Sequence, residues 1–156
     1  MAEATDEPAA VSWDDAVEEL YGLLRDDVIA RRDELAKQAR AAGDKETAGA
    51  VGRLRKPSAA AWLANMLARE HADEIGALEE LGASMRAAQD RLEGDALRRL
   101  SRRRHELVHA LVERARRIAR EDGVRVGDAV VRELERTITA AFADPEAARE
   151  IGRAHV

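Results

Sequence analysis

The chain of 156 residues has no cysteine, so it can hold neither a disulfide nor a thiolate metal site. Only four aromatic residues occur: Trp13, Tyr21, Trp62 and Phe142. Strands lean on aromatic and β-branched side chains, so this scarcity counts against a β-sandwich or barrel. No stretch approaches the roughly 18 apolar residues that a membrane-spanning helix needs. The opening residues, MAEATDEPAAVSWDD, are acidic and lack the basic and apolar regions of a signal peptide, which points to the cytoplasm. The ten glycines occur singly, so no glycine-rich phosphate loop is expected. Four serines and four histidines are too scattered to propose a hydrolytic triad. The carboxylates fall on exposed helix faces. No catalytic residue and no cofactor is expected.

What remains is rich in helix formers. Alanine occurs 33 times and arginine 23 times, against three lysines, and alanine and arginine both favour helix. Residues 1–11 are small and acidic, carry Pro8, and are expected to be disordered. Ser12 reads as the cap of a short helix that stops at Gly22. Asp26 or Asp27 can cap the next, with Val28, Leu35 and Ala39 on one face, and Gly43 ends it. Asp44 opens a helix running to about Arg55. Pro57 breaks it and suits the first turn of the helix beyond. A longer helix from Asp73 carries Ile75, Leu78, Leu81, Met85, Ala88 and Leu92 at steps of three and four, and Gly94-Asp95 makes the turn after it. The longest helix runs from about Asp95 to Glu121. Asp128 caps one carrying Val130, Leu134, Ile138 and Phe142, and Asp144-Pro145 can start a last one. Every apolar segment follows the helical period. The expected fold is all-α: a single-domain bundle of six to eight helices over residues 12–156, with an antiparallel hairpin (73–93 against 95–121) at its centre.

Charge is distributed in blocks beneath a net charge of −5. Residues 1–34 carry −8, 35–69 +5, 70–97 −6, 98–120 +7 and 121–156 −3. The plainer reading is that acidic helices pack beside basic ones and satisfy them. The functional reading is a basic face presented to an anionic partner.

The basic block contains His105-Glu106-Leu107-Val108-His109, the HExxH pattern of zinc metalloproteases. With Leu107 at 0° and 100° per residue, Leu100, Ile118, Leu111, Leu97 and Ala115 lie between about 20° and 80°, whereas His105 and His109 lie near 160° and 200°. Their neighbours on that side are Arg98, Arg102, Arg116 and Arg120, whose charge repels a metal cation. A third ligand would have to come from Glu133 or Glu135, and no surrounding sequence supports either. The pattern is read as a decoy. Arg98, Arg102, His105, His109, Arg116 and Arg120 instead form one polar stripe, which can track phosphates or lie solvated. No aromatics are interleaved to stack bases. Arg104 falls within the apolar stripe and is expected to form a structural ion pair, and Arg32 is placed similarly on its own helix.

Lys56-Pro57-Ser58, followed by Trp62 and Asn65, is the most distinctive local stretch. Arg53, Arg55 and Lys56 stand beside a helix N-terminus, where an anion or a partner could bind. The plainer reading is a capped helix with Trp62 as core anchor and Asn65 hydrogen-bonded between helices.

Together, LYG at 20–22, RRDELAKQARAAGDK at 31–45, LRKPSAAAWLANMLAR at 54–69 and R-R-x-E-L-V at 103–108 resemble a family of all-helical conserved proteins of actinobacteria. The family carries no assigned function, so the resemblance implies a helical fold but no mechanism. It marks Arg32, Lys56, Trp62 and Asn65 as positions of interest. This chain departs from the pattern at Leu24-Arg25, where members often have Pro-Pro, and at His105 and His109, which many lack. Members run on past the final G-R, so a C-terminal truncation at Val156 is expected. The leading expectation is a non-enzymatic module that binds a protein partner or self-associates, with no membrane contact. The alternative is a nucleic-acid-binding accessory protein using the 98–120 helix, and a zinc metalloprotease is a remote third.

Overall fold

A computed structural model describes residues 9–143. Among them all regular secondary structure is helical: α1 (Trp13–Tyr21), a 3-10 turn (Arg25–Asp27), α2 (Val28–Ala41), α3 (Lys45–Gly52), α4 (Ala59–Glu70), α5 (Ala72–Asp90), α6 (Gly94–Glu121) and α7 (Asp128–Ala143). The fold is all-α, as composition and periodicity require. The disorder expected before residue 9 and the helix expected from Asp144 lie outside the described residues. The helices gather into two compact units, divided between Pro57 and Ser58.

The first unit packs α1, α2 and α3 on one another, with Leu20, Tyr21, Val28, Leu35, Ala39, Val51 and Leu54 at its centre. Its helix starts follow the sequence. The Ser12 hydroxyl accepts from the Asp15 N–H at 3.1 Å, and Asp44 accepts from the Thr47 N–H at 2.9 Å and its hydroxyl at 2.7 Å. Those bonds hold the Asp44 carboxyl below its usual range. Asp27 precedes α2 but makes no side-chain cap, because the chain enters that helix from the 3-10 turn in a helical conformation.

Helix α3 stops at Gly52, short of Arg55. The chain from 54 to 58 has no regular structure, and side chains take its carbonyls. Arg32 Nη1 donates to Leu54 O at 3.0 Å, Tyr21 Oη to Arg55 O at 3.3 Å and Arg25 Nε to Pro57 O at 3.0 Å.

The second unit is built around α4. Ala60, Trp62, Leu63, Ala64, Asn65, Met66 and Leu67 are all buried, which a helix apolar on nearly every side requires. It packs against α5, α6 and α7, and α5 packs along α6. Helix α6 contributes Leu107, Leu111, Val112, Ala115, Ile118 and Ala119, and α7 contributes Leu134, Ile138, Ala141 and Phe142. Helix α4 is the most buried helix of this unit, and α5 and α6, the pair to which the sequence pointed, pack along each other beside it.

Helices α2, α5 and α6 end alike, in paired bonds of the Schellman type. Gly43, Leu92 and Gly123 bond to Arg40, Gln89 and Arg120, and the residues after them bond to Ala39, Ala88 and Ala119. The shared residue takes positive φ, +83° at Gly43, +68° at Gly123 and +56° at Leu92. The helical period puts Leu92 on the apolar face of α5; it lies instead beyond the helix and is 89% exposed. A leucine in this conformation costs about 1–2 kcal/mol, and at this exposure its side chain returns little. Leu92→Gly should stabilise the protein by about 1 kcal/mol after the entropy of glycine is set against the relief. Urea titration of the two proteins measures the difference, and an unchanged or lower midpoint would refute it.

Candidate functional site

Helix α6 carries the basic block on a 28-residue rod. Arg98, Arg102, His105, His109 and Arg120 are exposed along it, and Arg116 is half-buried, so one helix brings the expected stripe together. The Nδ1–H of His105 donates to the Ser101 carbonyl at 2.8 Å, since a carbonyl can only accept. In the neutral ring this leaves Nε2 unprotonated. Glu106 lies 3.5 Å from Arg103. Glu133 lies 3.5 Å from the Ser58 hydroxyl, and Glu135 borders the same groove as the two histidines. No group of three or more metal-capable side chains converges among the described residues.

Among the described residues the charge of α6 is met only in small part from outside the helix. Residues 98–120 hold nine arginines. Arg114 reaches Glu74 of α5 at 2.6 Å. Arg98, Arg103 and Arg116 lie 3.5–3.8 Å from Asp95, Glu106 and Glu113 of their own helix. Arg99, Arg102, Arg117 and Arg120 are exposed, and the ion pairs among the described residues include none of them. Among the described residues the neighbour-satisfies-neighbour arrangement therefore holds for α6 in a single pair to another helix, whereas in the first unit Arg31 of α2 meets Glu19 of α1.

Among the described residues Arg104 does not form the ion pair expected of it. Its guanidinium lies over the Phe142 ring, 5.5 Å from the centroid. Its stem lies half-buried beside the apolar stripe, and the ring face attracts the cation there without a carboxylate.

Beside this face α6 and α7 form a groove of about 390 Å³, bordered by Arg104, His105, Val108 and His109 of α6 and by Glu135 and Thr139 of α7. A neighbouring recess of about 410 Å³ shares Glu135 and Thr139 and adds Arg132 and Arg136. Arg132 and Arg136 are not among the candidates that the sequence singles out. Their signal is nonetheless present: 132, 135, 136 and 139 are spaced as one helical stripe on the polar side of α7.

The Lys56-Pro57-Ser58 stretch is divided between the units. In the first, Lys56 Nζ is bonded to Asp26 at 2.6 Å, which holds the Asp26 carboxyl below its usual range. Arg53 and Arg55 are exposed. Arg32 serves the fold, through Leu54 O and through Asp33 at 2.7 Å. In the second, Ser58 caps α4 by accepting from the Ala61 N–H at 3.1 Å. Trp62 is fully buried, the anchor expected of it. Asn65 is 4% exposed, but the interhelical bond expected from its amide is missing: Nδ2 has no hydrogen-bond partner.

Comparison with protein-family models, curated proteins and solved structures gave no match.

Proposed function

We propose that this chain is a non-catalytic helical interaction module whose contact surface is the α6–α7 face, and that it acts in the cytoplasm on a protein partner or a second copy of itself. The observation that carries this is Arg102 and Arg120, which lie beside His105 and His109 on the polar side of α6, are exposed, and enter no ion pair among the described residues. Complementary charge at such a face sets encounter rate and partner choice. Two further facts agree with it. The serine hydroxyls of Ser12, Ser58 and Ser84 are engaged in helix caps or backbone bonding. Among the described residues no helix is long and apolar enough to cross a membrane.

The test is capture from host lysate, with and without nuclease, by the native protein and by Arg102→Glu/Arg120→Glu. Both side chains are exposed, so circular dichroism should be unchanged. A nuclease-resistant stoichiometric partner, or a second copy, should be retained by the native protein and reduced at least about tenfold by the variant. Equal capture by the variant would remove the face from consideration.

A second reading has its own observation. All nine cations of 98–120 are arginine, whose fork matches phosphate in two bonds. On this reading the same surface holds nucleic acid as an accessory protein. The captured material would then vanish with nuclease, and binding would fall steeply with salt.

A further inference from the structure

We infer that the groove between α6 and α7 receives an acidic amphipathic helix from a partner protein. This rests on the reading of the α6–α7 face as the contact surface. The residues around the groove select the occupant by elimination. Added strands require an exposed sheet edge, and the described residues contain no strand. Polyproline ligands and nucleic-acid bases require aromatic platforms, and neither recess has an aromatic residue among the described residues on its border. A trough between two helices matches the remaining mode, in which a helix lays its apolar side into a groove.

The chemistry of the walls sets the partner's pattern. Val108, the Thr139 methyl and the aliphatic stems of the arginines offer carbon surface for apolar residues one turn apart. Arg104, Arg132 and Arg136 stand around it as cations, and Glu135 is the one carboxylate among the bordering residues described. An incoming helix therefore needs Asp or Glu flanking its apolar residues. Arg132 to Thr139 spans about 10 Å along α7, so about two turns of the partner make contact.

The probe is a displayed library of helical peptides of about 15 residues, long enough to hold a helix, selected on the full chain. Enriched peptides should be acidic, with apolar residues at helical spacing. They should lose at least about tenfold in affinity to Arg132→Glu/Arg136→Glu, whose altered side chains are exposed and leave the core untouched. Thr139→Trp, which fills the trough from another exposed position, should weaken them as well. The inference is overturned if nothing is enriched, if the enriched peptides are not acidic, or if they bind both variants as they bind the native chain. It is equally overturned if duplex DNA at the same salt displaces them and depends on Arg132 and Arg136, since the groove would then be reading phosphate. Loss of lysate capture by Arg102→Glu/Arg120→Glu but not by Arg132→Glu/Arg136→Glu would sink the groove while leaving the broader face intact.

Discussion

Gly82→Ala should destabilise the protein by about 1–3 kcal/mol although alanine is the better helix former. Gly82 is buried in α5. A Cβ built there would stand 2.5 Å from the carbonyl oxygen of Phe142 and 3.5 Å from its carbon. The obstruction is backbone near the end of α7, so no side-chain rotation relieves it, and α5 and α7 must part. Gly76, earlier in the same helix, is the internal control, because a Cβ there meets nothing within 4 Å. Gly76→Ala should stabilise by about 0.5–1 kcal/mol. Urea titrations of the two variants should therefore move in opposite directions. Movement in the same direction would mean that the close approach of α5 and α7 is not tight.

Trp62→Ala should cost about 3–5 kcal/mol, the range for removing a fully buried large aromatic. Trp62 is 0% exposed, in a helix buried on nearly every side, so there is little freedom for the surroundings to collapse into the space. Set against a usual total of about 5–15 kcal/mol, this brings many domains near unfolding at room temperature. Fluorescence reads the result directly, because the protein has two tryptophans and Trp13 is 39% exposed. The native emission should contain a blue-shifted component that Trp62→Ala abolishes, leaving the solvent-shifted signal of Trp13. A variant that keeps the urea midpoint of the native protein would show that Trp62 is not the anchor of the second unit.

Local rules are legible in the sequence. Ser12, Asp44 and Ser58 cap the helices they precede. The wheel of α6 turns Leu107, Leu111, Ala115 and Ile118 inward and both histidines outward. Each of these follows from residues within one or two turns of chain. The misses depend on what a distant element brings. A carboxylate is the common partner for an arginine placed like Arg104, and only the fold sets Phe142 opposite it. Leu92 fits the apolar period of α5, but the period does not say where the helix stops. The final bonds run back to Ala88 and Gln89, and this places Leu92 rather than Gly94 in the turn. The α6–α7 groove needs two helices set side by side, so neither stripe alone reveals it. Asn65 reads as hydrogen-bonded between helices because buried amides are usually bonded, and whether an acceptor stands opposite its Nδ2 depends on the packing of other elements; among the described residues none does.

The three lysines of the chain are Lys37, Lys45 and Lys56, all in the first unit, and residues 58–156 contain none. The charge of the α6–α7 face is thus carried by guanidinium groups, which stay protonated across the whole biological pH range. Acetyl transfer to lysine, a common way for cells to erase positive charge, has no acceptor side chain there. The face behaves as a fixed charge, open to modulation by ionic strength or by a competing anion. Amine-reactive cross-linkers would likewise attach to side chains of the first unit alone, so a partner seated on α6 and α7 would escape them unless it approached Lys37, Lys45 or Lys56.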